Sequence, residues 1–393
     1  HLQNLTKGAL NLVYAFQANA RSEYDIRRSS NQASLALNLL SQEFQSYYSN
    51  SKANFKYEIG TQFQSKVNYN SPDLNVKPLI PNYRKQVLAL YTIQELKLEK
   101  LLLEFGARYE YQNMLVRFYE DQNLINNRHL FNNLALNAGF STKLKKDFTY
   151  RLNLSYVQRA PEINELYSNG LHHGAAAIER GNPNFDKESL WSFNQSFSYL
   201  KSDLFFIEIS PYFQYFHNYI QLKPQDQLEL SIRGAFPVFN YEASKALLWG
   251  FDFAMQTQVA KNLYWNLKSA IVRAKDLDAK ENISFMPADY LENSLSYDFA
   301  FHKKLKELKL NLVGTYTWQQ VRAPVFDFTE APPGYFLLGA QLATKFNFKH
   351  LGMQVQLEGQ NLLNKSYRNY LNRYRYYADD MGVNLVLRTT LIF

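Results

Sequence analysis

An all-β chain that crosses a membrane as an antiparallel up-and-down barrel is what this sequence predicts, and three observations predict it. The 393 residues are rich in aromatics, with 29 Phe and 29 Tyr, yet the mean hydropathy is only −0.40. No apolar run approaches the length of a membrane-crossing helix, so a helical membrane protein is excluded. Apolar and polar residues alternate with period two along much of the chain. The connections between the alternating segments are by turns short and long. Together these describe strands with one oily and one wet face, joined into a meander.

The alternation is explicit. Phe55, Tyr57, Ile59 and Phe63 interleave with Lys56, Glu58, Gly60 and Gln62. Leu101, Leu103, Phe105, Ala107, Tyr109 and Tyr111 interleave with Glu104, Gly106, Arg108 and Glu110. The same pattern recurs at 148–156, 351–357 and 383–393. A soluble sandwich shares this pattern, so the connections must decide. About sixteen strands emerge at a spacing of ~25 residues. Short links fall near 97–100, 144–147, 200–203, 259–262, 302–307 and 348–350, with a longer one near 47–54. Long ones fall near 20–33, 68–85, 112–129, 158–189, 221–245, 273–288, 319–334 and 364–381. Outer-membrane barrels have short periplasmic turns and long external loops, whereas Greek-key sandwiches have no such two-beat rhythm. Lipid offers no hydrogen-bond partners, so the sheet must close on itself. Trp249, Trp265, Trp318, Tyr150 and Tyr199 are expected in the interfacial girdles, or in ordinary packing.

Charge adds detail. The balance is +8, and the short turns carry many of the lysines: Lys97, Lys100, Lys143, Lys145, Lys146, Lys201, Lys261, Lys303, Lys304, Lys306 and Lys349. They solubilise turn tips or attract anionic lipid head groups. They form no continuous patch, so nucleic acid is not an expected partner. The absence of cysteine excludes disulfides and thiolate chemistry. No Gly-x-Ser-x-Gly or His-Glu-x-x-His motif is present, and Glu162, Glu165 and Glu179 lack an accompanying nucleophile, so a barrel enzyme is the weakest reading. No resident cofactor is expected.

The loop 158–189 is the most informative. It contains Arg159-Ala160-Pro161, then His172-His173, then Glu179, then Gly181-Asn182-Pro183-Asn184-Phe185 with Glu188. Near the end come Asn361-Leu362-Leu363-Asn364-Lys365 with Tyr367, and a final alternating strand to Phe393. These passages resemble the TonB-dependent outer-membrane receptors, in the style of Bacteroidetes members. Arg159, Pro161, Gly181, Asn182, Pro183, Asn361 and Phe393 carry the likeness, Phe185 standing where leucine is usual. The resemblance implies a receptor that captures a scarce ligand outside the cell and imports it with inner-membrane energy. It also implies a plug inside a barrel of about 22 strands. Residues 1–393 are accordingly expected to be one outer-membrane β-barrel domain, the plug and first strands being absent. The competing reading is a complete sixteen-stranded porin. Expected partners are outer-membrane lipid, the TonB energising complex through the N-terminal part, an extracellular metal chelate, and an envelope lipoprotein.

The ligand is expected to be an iron chelate, siderophore or haem, or another metal complex; an oligosaccharide stays open. His172 and His173, two of seven histidines, are candidate metal ligands beside Tyr167, although adjacent residues on an extended chain point to opposite faces. Glu179 joins them as a candidate contact. Arg368, Arg373, Tyr374 and Arg375 alternate cations with rings, which suits an anionic aromatic chelate or simple rim packing.

Overall fold

The computed structural model describes all residues except 1, 6–7, 25–32, 73–76, 121–122, 203, 232–233, 301–306, 348–350 and 393. The expected turns near 302–307 and 348–350, their lysines, and Phe393 therefore lie wholly or largely outside the described residues. The strands run β1 (Leu2–Leu5), β2 (Gly8–Tyr24), β3 (Ala33–Lys52), β4 (Phe55–Asn70), β5 (Asn82–Lys97), β6 (Leu101–Glu120), β7 (Asn123–Lys145) and β8 (Phe148–Arg159). The helix α1 (Ile163–Tyr167), β9 (Asn169–His172) and β10 (Ala177–Arg180) follow within one connection. Then come β11 (Glu188–Lys201), β12 (Phe205–Ser231), β13 (Gly234–Ala260), β14 (Leu263–Asp276) and β15 (Glu281–Asn282). The chain ends with β16 (Tyr290–Ala300), β17 (Glu307–Thr317), β18 (Tyr335–Asn347), β19 (Gly352–Gln360) and β20 (Asn384–Ile392).

The twenty strands of the described residues join one sheet. Sixteen of them, each nine residues or longer, make the barrel wall as an antiparallel meander from β2 to β20; β1, β9, β10 and β15 are short additions. The sheet therefore holds more strands than the sixteen or so expected from the sequence, the four short ones making the difference. Among the described residues, β1 pairs only with β2 and β20 only with β19.

The two faces of the wall separate as alternation requires. Ile59, Leu88, Leu90, Phe105, Tyr109 and Trp191 are exposed on the outside. On the inside, Glu43 accepts from Gln62 and Gln64, Arg108 donates to Gln62 and Glu110, and Tyr91 bridges Gln45 and Glu58. Among the described residues there is no central apolar core. Buried apolar clusters occur instead at the loop-bearing end, where folded connections press against extended strands. Met114 and Val116 pack with Ile163 and Leu166, and Ala175 and Ala177 pack with Phe239.

Two expectations change here. The stretches 112–129 and 221–245 are not open loops, because β6–β7 and β12–β13 continue as hairpins far past the membrane band. The inward side of β6 explains the first: Gln112, Met114 and Val116 are buried at 2%, 0% and 0% exposure, so the strand has something to cover.

Candidate functional site: the extracellular loop cap

The connection between β8 and β11 is built from its ends inward. Arg159, the last residue of β8, pairs in register with Glu188, the first of β11, and their side chains meet at 3.2 Å. The same guanidinium holds Glu165 at 2.8 Å. Glu165 in turn closes a capping box on α1, accepting from the Glu162 backbone N–H at 2.7 Å. One carboxylate thus satisfies a helix start and the loop's anchoring arginine. Lys85 on β5 reaches Glu162 at 2.8 Å, tying the helix to the wall. Gly181 donates its N–H to Ser168 O at 2.7 Å, and a Cβ there would lie 2.5 Å from the Leu166 carbonyl carbon. Only glycine permits that approach. Tyr167 turns away from the histidine pair; its hydroxyl meets His129 Nε2 at 2.6 Å and its ring packs on Phe118.

Beyond α1 the chain folds into the β9–β10 hairpin, and β10 adds in parallel to the outer extension of β13 through Ile178↔Val238. This places Glu179, 3% exposed, against a second connection, 361–383. Its Oε1 accepts from His172 Nδ1 at 2.9 Å and from Arg373 Nη1 at 2.6 Å. Burial pushes the Glu179 carboxyl up, but the bonds and charges of His172 and Arg373 prevail and hold it below the usual carboxylate range. Arg373 also lies over the Phe239 ring at 4.8 Å. Tyr377 donates to Ala176 O at 2.9 Å, and the Tyr374 hydroxyl approaches His173 O at 3.5 Å.

Asn361 organises the root of the second connection. It adopts φ 48°, and its side chain accepts from Lys365 N at 2.9 Å while donating to Lys365 O and Met381 O. Arg368 pairs with Asp379 at 2.7 Å and donates to Arg375 O. Arg375 is 1% exposed, bonded to Asp327 and stacked within 4.2 Å of Tyr376 and 4.6 Å of Tyr370. Tyr376 donates to the other Asp327 oxygen at 2.9 Å. Burial raises both phenols, Tyr370 to about 12, so they stay neutral donors.

The structure therefore brings His172, Glu179 and Arg373 into one contact and sets Tyr374 beside His173. It keeps Tyr167 apart from that contact, and likewise Arg368 and Arg375, which meet each other instead. Among the described residues no group of three or more His, Asp or Glu is disposed to hold a metal ion. Sequence reasoning missed His129, Asp327, Phe239 and Tyr241, the last accepting from Asn164 Nδ2 at 2.9 Å. Each sits on a hairpin extension or in a loop with no motif to single it out.

The fold and this cap define a class of protein, and comparison with known proteins agrees. The family described as TonB dependent receptor-like, beta-barrel matches residues 3–362, so the chain belongs to that family and resides in the bacterial outer membrane. No curated protein sequence matches the chain. Among solved structures, the chain resembles the copper transporter OprC with TM-score 0.74 and 12% identity, covering 98% of this chain and 62% of that one. It resembles the FrpB iron transporter of Neisseria meningitidis, F5-1 variant apoprotein, with TM-score 0.70 and 14% identity, covering 99% and 63%. A mutant of the ferric enterobactin receptor PfeA of Pseudomonas aeruginosa gives TM-score 0.68 and 14% identity, covering 99% and 60%. The chain thus spans about three fifths of the length of these proteins. At these identities the likeness is one of fold.

Proposed function

We propose that this chain is the barrel of a receptor that imports an iron chelate or another metal complex across the outer membrane, energised by the TonB system. The observation that carries the reading is the meeting of the 160–187 and 361–383 connections, which brings His172, Glu179, Arg373 and Tyr374 together at the outer end of the barrel. Rings and cations there suit an anionic aromatic chelate. His172 and Glu179 already satisfy each other, which favours a chelate that brings its own donor atoms over a bare ion. Iron and copper transport by the structurally similar proteins supports the same class.

The test is uptake and binding by the intact receptor across ferric siderophores, haem, zinc, cobalamin and oligosaccharides. Selective uptake of one metal complex is expected. Tyr374→Ala, His172→Ala and His173→Ala should each be assayed with it, and loss of a direct contact should weaken binding about tenfold. Preferential uptake of a metal-free oligosaccharide would replace this reading with glycan import.

A further inference from the structure

A basic patch on the outside of the wall is not accounted for by ligand import. Arg84, Arg117 and Arg128 belong to the adjacent strands β5, β6 and β7, and all three are exposed. In register, Arg84 pairs with Leu115 and Leu115 pairs with Arg128, so the two arginines flank Leu115 in one cross-strand row. Two strand spacings put them about 10 Å apart. Arg117 stands two residues further along β6, on the same face as Leu115. That face is the outer one, because it continues the parity of Phe105, Tyr109 and Tyr111, all exposed, while Met114 and Val116 of the opposite parity are buried against α1.

Height on the wall matters as much as direction. The apolar parity of β6 runs from Leu101 to Tyr111, a span that at strand rise and barrel tilt covers about 25 Å, the thickness of the lipid-facing band. Leu115 and its flanking arginines begin four residues above Tyr111, about 10 Å higher, at the level of the outer-leaflet head groups. Lys187 adds a fourth cation at the lower edge, its Nζ held by Asn132 O and Gln158 Oε1 at 3.0 Å each. Arg128 is oriented by Asn113, whose Oδ1 accepts from its Nε at 2.9 Å. Among the described residues none of Arg84, Arg117, Arg128 or Lys187 forms an ion pair with a carboxylate. Elsewhere at this end arginines are neutralised: Arg159, Arg373 and Arg375 all have acidic partners.

We infer that this patch binds the phosphorylated head group of an outer-leaflet lipid. Forked guanidiniums recognise phosphate oxygens in bidentate fashion, and three of them within one head-group breadth can clamp it from several sides. The exposed Leu88, Leu90 and Leu130 directly below supply an apolar surface for acyl chains. A free anion would have no use for that surface, so the lipid is the source the site fits.

The experiment reconstitutes the intact receptor in nanodiscs containing diphosphoryl lipid A, or the same lipid with its phosphates removed, and reads retained lipid by native mass spectrometry after detergent exchange. The phosphorylated lipid should be retained at least about tenfold better. The triple variant Arg84→Gln, Arg117→Gln, Arg128→Gln should lose that preference, while the corresponding triple lysine variant keeps part of it. Heat-modifiable migration on gels confirms that each variant is folded, and the single Arg117→Gln variant should lose part of the preference if the triple does not assemble. Equal retention of the two lipids, or an unchanged triple variant, would overturn the inference. So would displacement of the lipid by millimolar inorganic phosphate, which would reassign the patch to a free anion.

Discussion

Glu179 and Arg373 stand 194 positions apart in the chain and meet at 2.6 Å, with the glutamate buried and a second bond to it coming from His172. The pair joins the signature connection to the last external one. Removing the arginine leaves a buried carboxylate with one partner. Arg373→Ala should destabilise the cap by an amount near the low end of ~3–5 kcal/mol, since His172 remains. Because the Glu179 pKa is held below its unfolded value, of about 4.3, the stabilisation is present at neutral and mildly acid pH. It is lost only as pH falls through the depressed value. Limited proteolysis of 160–187 should therefore be slow and constant from about pH 7 to about pH 5 in the native protein. It should be fast throughout in Arg373→Ala. Equal cleavage rates would remove the pair's role.

The opposite faces of β6 offer a test of the wall itself. Phe105 is 45% exposed on the outer face, whereas Glu104 precedes it on the inner one with Arg108. Phe105→Arg should impair assembly, at a cost of roughly 2–4 kcal/mol at mid-depth, and Glu104→Arg should cost little in a wet lumen. The yield of heat-modifiable barrel in the outer membrane measures both. Similar yields would count against the assignment of the two faces.

Gly181 is required for space. An added Cβ would meet Leu166 C at 2.5 Å, Tyr167 N at 2.6 Å and Glu165 O at 2.8 Å, all backbone atoms of α1. Gly181→Ala should push the helix from its seat on Met114 and Val116, costing about 1–3 kcal/mol. Gly174→Ala serves as the control, since its nearest neighbour is His172 Nε2 at an ordinary 3.6 Å. Hydrogen exchange over 160–187 should accelerate in the first variant and remain unchanged in the second.

The wall was legible in the sequence because lipid imposes one rule on sixteen strands. The hairpin extensions were not legible, and β6 shows why. Through the membrane its apolar residues hold odd positions, Leu101 to Tyr111, and above it the buried apolar ones are Met114 and Val116, at even positions. The oily side changes from the outer face to the inner one where lipid ends and folded loops begin. A pattern followed at one parity stops at Tyr111, nine residues short of the strand's end at Glu120. Within the cap, the Arg159–Glu188 clasp and Gly181 follow from local motifs. The Glu179–Arg373 and Arg375–Asp327 pairings do not, since both are made between separate connections and nothing near either residue in sequence marks the other.

Arg375 and Asp327 give the sharpest test of how the cap is held. Their side chains are 1% and 8% exposed, and the guanidinium is sandwiched by the Tyr370 and Tyr376 rings. Asp327→Asn keeps shape and removes charge, so Arg375 would remain buried without a counter-ion, a loss of about 3–5 kcal/mol. Arg375→Met leaves Asp327 with the Tyr376 hydroxyl, a smaller defect because that phenol remains neutral and donating. Combining Asp327→Asn with Arg375→Met removes both charges while the long apolar side chain keeps contact with the two rings. The double variant should then be less destabilised than Asp327→Asn alone, a coupling of at least about 1 kcal/mol. Hydrogen exchange over 319–334 and 361–383 reads it directly. Additive effects of the two substitutions would show that the rings, and not the ion pair, hold Arg375 in place.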